Sequence, residues 1–148
     1  MFAPKKILVP TDFSDDADAA LQEALDLARQ YHSKVYLLHV TEPVMQCSVD
    51  YCLDLATLKQ AEAEEVIRSR VLMQEELNKL GATEGIEVIS DIREGDTVSE
   101  ILKEQDEKDI DLIVMPSHRK KGFLERMMGP ISEKVMEQAT RPVLIVRH

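Results

Sequence analysis

The chain has 148 residues, 44% of them hydrophobic and 31% charged, a length that fits one domain with one core and a composition too apolar for a disordered chain. Its formal net charge of -10 opposes a general attraction to nucleic-acid phosphates or anionic lipid, because affinity for both comes chiefly from Lys and Arg. No run approaches the roughly 18 to 20 apolar residues that cross a bilayer, and residues 1–15 lack the apolar segment and small-residue cleavage site of a secretory signal. The expected location is therefore the cytoplasm, with proteins or small molecules as partners and neither nucleic acid nor membrane.

Residues 6–9 form a short β-branched run that ends at Pro10, whose missing backbone donor is expected to stop a buried strand. Ser14, Asp15 and Asp16 supply a cap, and Ala17, Ala20, Leu21, Ala24, Leu25, Leu27 and Ala28 then recur at helical spacing, which predicts a helix to about Tyr31. Residues 35–40 read as a second buried strand, with His39 near its carboxyl end and Glu42-Pro43 closing it. Residues 43–54 read as a loop. Its Cys47 and Cys52 have no second ligand pair to make a zinc site; they are either unpaired thiols, as a reducing compartment favours, or a redox or intersubunit pair.

Residues 55–80 predict one long helix, with Leu58, Val66, Val71, Leu72, Leu77 and Leu80 among many charges and Gly81 as its stop. A third strand follows over 86–92, then a turn at Gly95 and a helix capped by Thr97 that carries Val98, Ile101 and Leu102. Residues 111–115 form the fourth strand. A basic loop over 117–121 leads through 122–129 to a helix beginning near Pro130, and residues 142–146 give the last strand.

Strands and helices alternating at this pitch imply an open five-stranded parallel sheet covered by helices on both faces, in a single α/β domain. Ligands of such folds gather at the carboxyl ends of the strands, near a switch in strand order. Residues 10–14, 39–42, 93–95 and 116–130 share that rim.

The segments ILVPTDFS at 7–14, VYLLHV at 35–40, DLIVMPSH at 111–118 and MGPISEKVMEQATRPVLIV at 128–146 together resemble the universal stress protein family, in order and over nearly the whole chain. The resemblance implies a Rossmann-like domain over 1–148, usually a homodimer, made under starvation or other stress and without a well-defined enzymatic reaction. It also implies an edge position for the last strand, so that Pro142, Val143, Leu144, Ile145 and Val146 are the expected dimer contact, an unpaired apolar edge being open to pairing with a second copy.

Members of the family that bind ATP carry, after the fourth strand, a glycine, two residues, a second glycine, nine residues, and a third glycine followed by Ser or Thr. Those positions fall on Pro116, Arg119, Gly129 and Pro130, so one of the four matches. Glycines let the backbone approach phosphate oxygens and expose amides. Pro116 and Pro130 have no amide, and Arg119 adds a side chain where close approach is needed. Pro130 removes both the hydroxyl and the amide from a helix start that would otherwise hold an anion, while remaining well suited to the first helical position.

What remains for a nucleotide is Asp12 at the adenosine-contacting acidic position, the amides of Gly129, Ile131 and Ser132, and the cations Arg119, Lys120 and Lys121. The candidate ligand-facing residues are Pro10, Thr11, Asp12, Val40, Met115, Pro116, Ser117, Arg119, Gly129, Pro130, Ile131 and Ser132. The plainer readings are a turn or cap for Asp12 and a solvated loop for residues 119–121.

His39 and His118 have no evident nucleophile partner, and Ser14 and Ser117 lack the Gly-x-Ser-x-Gly elbow. Met115, Met127 and Met128 read as adaptable packing. The leading expectation is a noncatalytic stress-response homodimer with weak or absent ATP binding. The alternatives are a switch binding ATP or AMP and, further off, a nucleotide hydrolase, for which Asp12 alone supplies too little metal-holding chemistry.

Overall fold

The computed structural model describes residues 1–43, 54–81, 83–117 and 129–147; Cys47, Cys52, His118, Arg119, Lys120, Lys121, Met127 and Met128 lie outside them. Its elements are β1 (Lys6–Pro10), α1 (Asp15–Tyr31), β2 (Lys34–Thr41), α2 (Leu55–Leu80), β3 (Val88–Glu94), α3 (Thr97–Glu107), β4 (Leu112–Pro116), α4 (Pro130–Gln138) and β5 (Val143–Val146). The five strands form one sheet in the order β3-β2-β1-β4-β5, parallel at every pairing. The expected α/β architecture is thus present, with β5 at an edge.

Alternate residues of the strands feed two separate core layers, as the two-residue period of a strand requires. Ile7, Val9, Val35, Leu37, Leu112 and Val114 pack with Ala20, Leu21, Ala24 and Leu25 of α1 and with Met73 of α2. Leu8, Tyr36, Leu38, Ile113 and Met115 pack instead with Val98 and Ile101 of α3 and Val135 of α4. Both faces of the sheet are therefore apolar, and for that reason the strands read as continuous hydrophobic runs.

Local chemistry sets the helix ends. The Ser14 hydroxyl accepts from the Ala17 amide at 3.2 Å to start α1, and Asp54 accepts from the Thr57 amide at 2.7 Å to start α2. The cap of α3 is Asp96, not Thr97. Asp96 holds the extended backbone of a cap and accepts from the Ser99 amide at 3.0 Å, so Thr97 becomes the first helical residue.

Other boundaries differ from the sequence expectation by one or two residues. β5 begins at Val143, because Pro142 has no amide to donate, yet the Pro142 carbonyl still accepts from Ile113 at 3.0 Å. On α2, Ile67 and Val71 are 65% and 52% exposed, while the inward stripe is Leu58, Ser69, Met73 and Glu76.

The carboxyl end of β3 is tied to α3 by charge. Arg93 bonds Glu104 through Nε at 2.5 Å and Glu100 through Nη1 at 3.4 Å, and its Nη2 bonds Glu107. Gly95 lets the chain turn beneath this cluster. Its φ is +149°, and a Cβ there would stand 2.8 Å from Glu100 Oε1.

Glu104 is 1% exposed, and its carboxyl is pushed up to about 7 by burial and then by the Asp91 carboxyl beside it, with Arg93 opposing. Asp91 Oδ2 and Glu104 Oε1 are both buried with no other partner among the described residues, and a proton shared between the two carboxyls satisfies both.

A carboxyl whose folded value lies above its ordinary 4.5 stabilises the fold fully below 4.5, and that contribution fades as pH rises through 7. Glutamine at this position keeps an acceptor for Arg93 and gains a donor toward Asp91. Thermal melting followed by circular dichroism at pH 6 and pH 8 should show Glu104→Gln losing less melting temperature than the wild type, by about 3 °C, the shift that roughly 1 kcal/mol produces at this chain length.

Candidate functional site at the opening between β1 and β4

The rim opens where strand order reverses, and two prolines hold it open. β1 pairs with β4 only at Ile7↔Leu112 and Leu8↔Ile113. Beyond that point the Thr11 amide turns toward β2, donating to the Leu38 carbonyl at 2.8 Å, and the Ser117 amide turns toward β5, donating to the Val146 carbonyl at 3.0 Å. Backbone groups alternate sides along a strand, so the preceding residues, Pro10 and Pro116, turn their nitrogens toward each other's strand. Neither nitrogen carries a hydrogen. The next rungs have no donor, and the strands part. The expected stop at Pro10 thus holds toward β4 only, since Pro10 remains in register with Leu38 of β2.

Thr11, 6% exposed, ties the rim together with all of its polar groups. Besides the amide bond to Leu38, its hydroxyl lies 2.9 and 3.0 Å from the two Glu76 carboxyl oxygens and accepts from the Phe13 amide at 3.0 Å. Its carbonyl lies 2.7 Å from His39 Nδ1. A carbonyl only accepts, so Nδ1 carries the proton there. His39 is held further by the Phe13 ring, whose centroid is 4.4 Å away, and Phe13 takes a left-handed φ of 66°. The structural reading of His39 is the one these contacts support.

Asp12 follows on the exposed side of this turn. Its Oδ1 accepts from the Ser14 amide at 3.0 Å and from the Ser14 hydroxyl at 2.5 Å. The carboxylate therefore sits in a fixed place at the mouth of the opening and also performs the turn role open to it from sequence.

Across the opening, Pro116 and Ser117 are buried, and Met115, 3% exposed, belongs to the core layer under α3 and α4. Val40 and Ile131 are half-buried against the same layer. Gly129 is the cap of α4 and Pro130 its first residue, with no side-chain cap bond, which leaves the Ile131 and Ser132 amides at an uncapped helix start. The Ser132 hydroxyl points inward and donates to the Pro116 carbonyl at 2.9 Å. The structure thus brings Pro10, Thr11, Asp12, Pro116, Ser117 and the start of α4 to one opening, with Val40 on the neighbouring strand; Arg119, Lys120 and Lys121 fall outside the described residues.

Glu76 was not legible as part of this site. It is 5% exposed, and its carboxyl is pushed up to about 8, first by burial, against the opposing Thr11 bond, and then by Asp18 and Asp12. Lys79, one turn further on, bonds Asp18 Oδ2 at 2.5 Å and lies 3.6 Å from Asp15 Oδ1, joining α2 to α1. The available signal was spacing, since Ser69, Met73, Glu76 and Leu80 recur along one helical face.

Chemically, the opening offers apolar walls, one fixed carboxylate and helix-start amides. The hydroxyls of Thr11, Ser14 and Ser132 donate to the Glu76 carboxyl, the Asp12 carboxyl and the Pro116 carbonyl respectively. Among the described residues no group of three or more His, Cys, Asp or Glu is arranged to hold a metal, and no helix is long and apolar enough to cross a membrane.

Residues 4–147 match the model of the universal stress protein family. The universal stress protein MJ0577 of Methanocaldococcus jannaschii is 31% identical over 154 residues, which cover 97% of this chain and 94% of that one. Its solved structure superimposes with a TM-score of 0.74 at 30% identity, covering 99% of this chain and 98% of that chain. The UspA structure from Lactobacillus plantarum gives 0.80 at 22% identity over 97% of each chain. A universal stress protein from Archaeoglobus fulgidus, solved in complex with dAMP, gives 0.66 at 21% identity over 97% of this chain and 98% of its own. With its sheet order, its rim and a family match over almost its full length, the chain belongs to the universal stress protein family.

Proposed function

We propose that this protein is a noncatalytic, cytoplasmic stress-response protein, one domain over residues 1–148, that acts as a homodimer. Its β1–β4 opening takes the adenosine part of an adenine nucleotide such as AMP and holds a triphosphate weakly or not at all. One observation carries the reading. Pro116 and Pro130 withdraw two amide donors from the phosphate side, and the nearby Ser132 hydroxyl does not replace the one absent at Pro130, because it is buried and bonded to the Pro116 carbonyl. The adenosine side is intact by contrast, with Asp12 fixed at the mouth. The dAMP complex of a family member supports an adenine nucleotide as the ligand class.

Calorimetric titration of nucleotide-free protein should show AMP binding and magnesium-ATP binding no more tightly than AMP. Asp12→Ala should weaken AMP at least tenfold, about the 1.4 kcal/mol that a charge-assisted hydrogen bond contributes. The triple variant Pro116→Gly, Arg119→Gly, Pro130→Ser restores the donors at 116 and 130 and clears the side chain at 119, and should gain at least tenfold for magnesium-ATP. Tight, magnesium-dependent ATP binding by the wild type would sink the proposal.

The dimer reading rests on β5. Its carbonyls at Pro142 and Val146 face β4, so by alternation the backbone groups of Val143 and Ile145 face the open edge, where a second copy pairs through the same strand. Leu144 is among the exposed large hydrophobics there. Light scattering at micromolar concentration should give twice the chain mass. Val143→Pro removes an outward donor at the strand's first position, where proline is otherwise tolerated, and should halve it.

A further inference from the structure

Glu76 has a role that neither packing nor the family pattern assigns. It projects from α2 into the back of the rim, 5% exposed. The Thr11 hydroxyl has one proton and its oxygen already accepts from Phe13, so that proton goes to one Glu76 oxygen. The Glu76 carboxyl also meets Asp18 of α1. Two carboxylates are both acceptors, and only a proton between them makes that contact attractive.

The charges around Glu76 are mostly acidic. Asp12 comes from the β1–α1 turn, Asp15 and Asp18 from α1, and Lys79 from α2 itself, with Lys79 bonded to Asp18 and near Asp15. From β2, His39 faces the Thr11 carbonyl. Ionising Glu76 adds a fourth negative charge behind the Thr11–Asp12 turn, at the mouth that an anionic nucleotide enters.

We propose that Glu76 is a positioning residue that makes nucleotide binding proton-linked: the rim accepts an anionic adenine nucleotide with Glu76 protonated, and binding above neutral pH takes up a proton at that carboxyl. The inference rests on the nucleotide reading given above. Burial and the neighbouring aspartates push the free carboxyl up to about 8, so the proton is present at neutral pH and lost above it. The negative charge of a bound nucleotide disfavours the ionised form further and draws the proton back.

The test is AMP titration by calorimetry between pH 7 and pH 9, above the range where the ligand's own phosphate ionises, in two buffers of different ionisation enthalpy. Wild-type affinity should fall as pH rises, by up to about tenfold per unit, the limit for one proton, with net proton uptake near pH 8. In Glu76→Gln, whose amide still accepts from Thr11 and donates to Asp18, the affinity should be nearly flat and proton uptake absent.

Carbon-13 NMR of the wild-type Glu76 carboxyl should show its midpoint rising when AMP is added, a readout that does not depend on the variant folding. Binding with the same pH dependence in both proteins, or a midpoint unmoved by AMP, overturns this inference and leaves the nucleotide reading standing. No AMP binding by the wild type at any of these pH values overturns both.

Discussion

The functional end of this molecule depends on two missing backbone donors. Pro10 and Pro116 face each other across β1 and β4, the pair of strands between which the chain reverses its direction of winding. Parallel strands with continuous apolar sequences, as these are, would otherwise keep pairing. Both next rungs lack an N–H, so the ladder ends after Leu8 and Ile113, at the switch in strand order. At that parting Thr11 keeps its amide on β2 and sends its hydroxyl to α2, and the turn beyond it sets Asp12 at the mouth.

An acid-rich chain has also placed carboxyls inside. Glu76 under α1 and Glu104 under β3 lie on opposite sides of the sheet, and each meets an aspartate and carries a raised proton affinity, chiefly from burial. The two environments are not equivalent. Arg93 stands directly on Glu104, whereas Lys79, one turn from Glu76 on α2, is directed to Asp18 and Asp15. The uncompensated carboxyl is the one behind the rim. Both carboxyls are thus favoured in the protonated form, and a guanidinium opposes that shift only at Glu104.

Much of the architecture was legible in the residues. Runs such as ILV at 7–9 and LIVM at 112–115, spaced by helices with a clear apolar stripe, fix a two-sided parallel sheet, and α1 ends at Tyr31 as its periodicity requires. The finer features depend on geometry that sequence does not carry. Asp96 and Thr97 are both good caps, and only the backbone angles choose between them. Glu76 and Glu104 look like solvent-facing glutamates because helices α2 and α3 carry so many. Their burial is decided by which arc of each helix meets the sheet. Ile67 and Val71 show the converse: apolar residues left outside because the arc that packs is Leu58, Ser69, Met73 and Glu76. At the rim, the stopping effect of Pro10 was legible, but its restriction to the β4 side appears only once strand order is known.

The start of α4 shows how a binding loop can change without cost to the fold. A proline at the first helical position loses an amide that the helix would not have bonded, and its fixed φ suits the turn, so Pro130 leaves α4 and its buried Val135 in place. Ser132 then closes the gap from within, its hydroxyl bonding the Pro116 carbonyl that the parted ladder leaves without a β1 donor. The donors at the helix start and the stability of the helix are thus separable here. The turn after β1 is not separable in the same way. Asp12, Phe13 and Thr11 form one turn whose bonds also start α1 and hold His39, so losing it would disturb the first helix. That asymmetry accounts for a rim whose β1 turn is fully bonded while the start of α4 has no side-chain cap and no N–H at Pro130.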